Sequence, residues 1–122
     1  MGTTYLVRLD DVRDALDSLD ESDGEALRKL IGEDEGWIDL DQSGDELGPL
    51  LQELGVPGGL TRSLDAAAVR KLAAKLAALT WEDAEALIDG GEPAYLQPYY
   101  DELCALVRVA AQVRQGIRVA LR

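Results

Sequence analysis

Histidine is missing from this 122-residue chain altogether. Its absence removes the commonest acid–base side chain and the usual zinc ligand. Cysteine occurs once, at Cys104, so no internal disulfide can form, and a cytoplasmic, reducing setting is the expectation. No apolar run approaches the roughly 20 residues that a membrane-spanning helix needs. The opening "MGTTYLVRLD" has neither the basic start nor the long apolar stretch of a secretion signal. Basic residues are scarce in one half only: residues 1–60 hold 4 Lys/Arg against 16 Asp/Glu, whereas residues 61–122 hold 8 of each. The whole net charge of −12 therefore resides in the first half. Segregated charge sets a negative field over one side of a molecule. Nucleic acid and anionic membranes are poor direct partners for such a side; a basic protein surface suits it.

What is present reads as one α+β domain over residues 1–122, mostly helical, with a small sheet that includes the amino- and carboxy-terminal strands. A chain of this size buries roughly two-thirds of its unfolded surface and needs no disulfide or metal to fold. "TTYLVRL" (3–9) alternates around Tyr5, Val7 and Leu9, the pattern of a strand. Val12, Ala15, Leu16 and Leu19 share one side of a following helix, with Asp10, Asp14 and Asp17 on the other. Ser22 and Glu25 have capping-box spacing for a second helix that carries Leu27, Leu30 and Ile31 inward and ends at Gly32. "GWIDL" (36–40) reads as a short strand. A further helix starts at Pro49, and "GVPGGLTRS" (55–63) is a loop.

In the second half, Val69, Leu72, Leu76 and Leu79 form a stripe on the alanine-rich "LDAAAVRKLAAKLAAL". Thr80 starts the short helix "WEDAEALI", closed by Gly90-Gly91. A long helix is predicted from about Pro98 to Gln115, with a narrow polar stripe at Asp101, Ala105, Arg108, Gln112 and Gln115. A helix apolar over the rest of its circumference is a buried one. Gly116 ends it, and "IRVAL" (117–121) is a terminal strand that pairs with the first.

Chemistry is hard to find. "WIDLDQSGDELGPLL" (37–51) looks like a calcium loop at Asp39, Asp41, Ser43 and Gly44, but the twelfth position, which needs a bidentate carboxylate, is Leu50. A turn capped by Ser43 and Glu46 accounts for it, and no metal or cofactor is expected. Cys104 has no histidine to activate it and reads as a structural thiol. The serines sit at caps and turns, and "GVPGGL" lacks the Lys-Ser/Thr of a phosphate loop. The 24 acidic residues are too many for any one pair to point to catalysis. The expectation is a protein that is not an enzyme.

"LDQSGDELGPLL" (40–51) resembles the "LDKSWxxLHxLL" segment of the YfbM-like proteins, a bacterial family of unknown function. "MGTTYLVRLDDVRDAL" (1–16) is similar to that family's opening strand and first helix. "LDAAAVRKLAAKLAALTWEDAEALID" (64–89) resembles its alanine-rich middle helix and the short helix after it, and "YLQPYYDELCALVRVAAQVRQGIRVAL" (95–121) its final helix and strand. The resemblance implies a YfbM-like domain, divergent and shortened near Gly58-Gly59. Gly44 stands where the family has Trp, Gly48 where it has His and Pro49 where it has an aromatic residue, so a site built on that Trp and His would be absent.

Between Asp10 and Glu46 there are 15 acidic residues, opposed only by Arg13, Arg28 and Lys29. One explanation is mere hydration. A sharper one is a non-catalytic binding protein of inhibitor or immunity type, covering the basic site of a toxin or nuclease. Its docking face would comprise Asp14, Asp17, Glu21, Asp34, Glu35, Trp37, Asp39, Asp41 and Asp45. Trp37 and Trp81 have the side chain of a partner anchor, but a place in the core or at a helix junction is the reading favoured for each. A YfbM-like housekeeping protein with a small ligand or partner cleft, and a mimic of DNA, are the alternatives.

Overall fold

A computed structural model describes residues 5–31, 37–40, 50, 52–54, 63–87 and 93–121. Strand β1 (Tyr5–Leu9) leads into helix α1 (Val12–Ser18) and helix α2 (Glu21–Ile31). The two-residue strand β2 (Ile38–Asp39) follows, then helices α3 (Ala66–Ala77), α4 (Trp81–Leu87) and α5 (Pro93–Gln112), and strand β3 (Ile117–Leu121). The expected mostly helical α+β fold with a small sheet is what forms.

The sheet is antiparallel in the order β2-β1-β3, so the first and last strands of the chain are neighbours. Val7 faces Ile38 on one side and Val119 on the other, and Leu9 faces Ile117. Strand alternation sends these residues to one face, where Val7, Leu9 and Ile117 are fully buried. On the other face Arg8 lies directly opposite Arg118. Like charges so placed repel. Each finds its own relief: Arg118 Nε is 3.3 Å from Asp10 Oδ1, and the Arg8 guanidinium sits 5.4 Å from the centre of the Trp37 ring.

Helix α5 is the central one. Leu96, Leu103, Leu106, Val107 and Ala110 are buried along it, while Asp101, Arg108 and Gln112 form the exposed stripe read from the sequence. Val69, Leu72 and Leu76 of α3 pack against it. Ala15 of α1 and Leu27 and Ile31 of α2 complete the same apolar cluster.

Several helix ends differ from the sequence expectation. Asp20, not Ser22, caps α2: its Oδ1 accepts from Asp23 N–H at 2.7 Å and its carbonyl from Gly24 N–H at 2.8 Å. Ser22 falls inside the first turn. Thr80 caps α4 as expected, in a reciprocal pair with Asp83 at 3.2 and 3.4 Å. Helix α5 begins at Pro93, and Pro98 lies within it. Proline there removes the N–H that would reach the carbonyl of Ala94, and its ring crowds that carbonyl, so the first turns of α5 carry the cost of an interior proline. Gly116 does not end α5. Arg114 does, at φ 60°, with Gln115 N–H reaching the Ala110 carbonyl and Arg114 N–H the Ala111 carbonyl, the paired bonds of a Schellman turn.

Gly116 answers a long-range demand instead. Leu64 and Ile117 exchange two backbone bonds of 3.0 Å, bringing the start of α3 onto the edge of β3. A Cβ at position 116 would collide with the Leu64 carbonyl oxygen and come within 2.9 Å of Asp10 Oδ2. Residues Leu50, Gln52 and Glu53 are helical, and Lys75 Nζ donates to the Leu54 carbonyl, tying that turn to α3. Pro49, Gly32, Gly90 and Gly91, and most of the 55–63 loop, lie outside the described residues.

Candidate partner-binding surface

The acidic surface is built where β1 hands over to α1 and α1 to α2. Residues 10–25 carry eight carboxylates and one cation, Arg13. Helix capping requires some of these acids. Asp11 Oδ1 accepts from Asp14 N–H at 3.0 Å, and Asp20 does the same for α2, because a helix start leaves backbone donors unpaired. The others follow from amphipathic spacing: once Val12, Ala15, Leu16 and Leu19 turn inward, Asp14 and Asp17 turn outward.

Among the described residues, the carboxy-terminal half reaches this surface with two amides and a single cation. Gln115 Oε1 accepts from Asp11 N–H at 2.8 Å, while its Nε2 donates to the Asp11 carbonyl at 2.9 Å and to Asp14 Oδ2 at 3.4 Å. Gln112 Nε2 donates to Asp23 Oδ2 at 3.2 Å. Arg118 pairs with Asp10. Farther along α2, Glu25 and Lys29 are 3.7 Å apart and exposed. Amides organise carboxylates without cancelling their charge. Asp17 and Glu21 are exposed and make no ion pair among the described residues.

The expected docking residues divide. Asp14 and Asp17 are exposed on α1, and Glu21 is exposed in the first turn of α2. Trp37 and Asp39 stand on the β2 side, at the opposite sheet edge from β3. Trp37 is half-buried, with the Arg8 guanidinium over its ring. Asp39 is exposed, and its charge joins burial in raising the Glu102 carboxyl above the ordinary range. Asp34, Glu35, Asp41 and Asp45 lie outside the described residues, as does most of the calcium-like loop. Among the described residues no group of three or more acids, cysteines or histidines is placed to hold a metal ion. Sequence reasoning missed Gln112 and Gln115. They were visible as the end of the polar stripe on α5, but not as partners of the first helix.

Two shallow grooves flank the exposed stripe of α5. One, of about 320 Å³, runs between α3 and α5 over Ala73, Leu76, Ala77, Cys104 and Ala105, with Asp101 and Arg108 at its ends. The other, about 350 Å³, lies between α2 and α5 and is lined by Leu27, Leu30, Glu102 and Val109, with Lys29 and Arg108 beside them. Cys104 is half-buried, and burial pushes its thiol up, which disfavours the nucleophilic thiolate. Tyr100, one turn earlier, has a buried hydroxyl with no hydrogen-bond partner of normal geometry among the described residues, its neighbour being the Cys104 thiol. Burial, and then the neighbouring Cys104, push its pKa above the usual phenol range, so the hydroxyl stays protonated. Its ring lies 5.1 Å from that of Trp81, centre to centre, and Tyr95 packs edge-on against Tyr99 at 5.2 Å.

No protein-family model, curated protein or solved structure matches the chain. Among the described residues no helix is long and apolar enough to cross a membrane.

Proposed function

We propose that the protein is a non-catalytic binding protein of the cytoplasm whose α1–α2 surface docks on a basic protein, in the manner of an inhibitor or immunity protein that covers the phosphate-binding site of a toxin or nuclease. One observation carries this reading: among the described residues only Asp10 and Glu25 of the eight acids in residues 10–25 pair with a cation, while Asp14 and Asp23 meet the neutral amides of Gln115 and Gln112. Such an arrangement keeps most of its charge for an incoming partner. Oriented charge of this kind raises association rates and discriminates against acidic competitors. Kinship with the YfbM-like family remains part of the proposal. It rests on the resemblance of the quoted segments and on an order of strand, helix, alanine-rich helix and final helix-strand that the resemblance implies.

The test is capture from a lysate of the native host at low ionic strength, wild type beside the triple variant Asp14→Asn, Asp17→Asn, Glu21→Gln. The expected result is a basic protein retained by wild type, released by moderate salt and lost with the variant. Equal capture by both chains would exclude this surface as the docking site.

A further inference from the structure

No further inference is drawn: the strongest candidate, the groove between α3 and α5 with the half-buried Cys104 thiol in its wall and the buried Tyr100 hydroxyl near that thiol, is a run of alanines around a lone cysteine, and nothing in the structure shows what covers it.

Discussion

The side-chain amide of Gln115 clasps the backbone of Asp11, accepting from its N–H at 2.8 Å and donating to its carbonyl at 2.9 Å. This clasp joins the end of α5 to the start of α1, residues far apart in the chain. It also sets Asp14 within reach of the same amide. Gln115→Ala loses these bonds and is expected to destabilise the fold by about 1–2 kcal/mol. Gln115→Glu should cost more, because a carboxylate cannot donate to the Asp11 carbonyl and would face the acids of Asp11 and Asp14. Urea denaturation of the two variants at low and high salt checks this: the gap between them should narrow as salt rises.

The turn after α5 supports two opposite outcomes at neighbouring positions. Arg114 holds φ 60°, a conformation that strains residues with a Cβ, so Arg114→Gly should stabilise by about 1 kcal/mol despite the freer unfolded chain. Gly116→Ala should cost about 1–3 kcal/mol, since the new methyl meets the Leu64 carbonyl. Thermal midpoints moving in opposite directions would bear out the assignment of roles; a loss at Arg114→Gly would contradict it.

Why does Gly116 read as a helix stop in the sequence? Glycine after an apolar helix usually is one, and nothing local announces that Leu64 returns to that spot. The caps show a similar limit. Asp20 and Ser22 both favour a helix start, and the spacing of Ser22 to Glu25 suggested the wrong one. Patterns that bury a whole face were legible: the β1 alternation, the Val69–Leu72–Leu76 stripe and the apolar side of α5 all turn inward as periodicity requires, although α5 spans Pro93–Gln112 and not 98–115. The acidic surface was legible in composition but not in extent. Asp14 and Asp17 follow from helical spacing, whereas the distance between them and Trp37 depends on strand order, which a local pattern does not encode.

Tyr100 offers a gain of stability by deletion. Its hydroxyl is desolvated, and among the described residues it meets no partner of normal hydrogen-bond geometry, only the weakly bonding Cys104 thiol. A buried polar group left unpaired costs about 1–3 kcal/mol, so Tyr100→Phe, which keeps the ring against Trp81, should raise stability. A clear loss in chemical denaturation would show that the hydroxyl has a partner in solution.

Glu102 gives the fold a pH dependence of defined sign. Burial, then the Asp39 charge, raises its carboxyl, with Lys29 and Arg108 along the same groove. The folded form therefore holds this proton more tightly than the unfolded chain. Its contribution favours folding at mildly acidic pH and declines as pH rises through the raised value. Glu102→Gln should flatten that decline and be the more stable chain at neutral pH. Urea midpoints measured across the acidic-to-neutral range, variant against wild type, read the difference directly.

The docking proposal turns on rate. With the captured basic partner purified, the association rate constant is measured against ionic strength for wild type and for the Asp14→Asn, Asp17→Asn, Glu21→Gln chain. Wild type should associate fast at low salt and slow steeply as salt is added, and the variant should be slower with a shallower dependence. Identical rates and identical salt slopes for the two chains would contradict an α1–α2 docking surface.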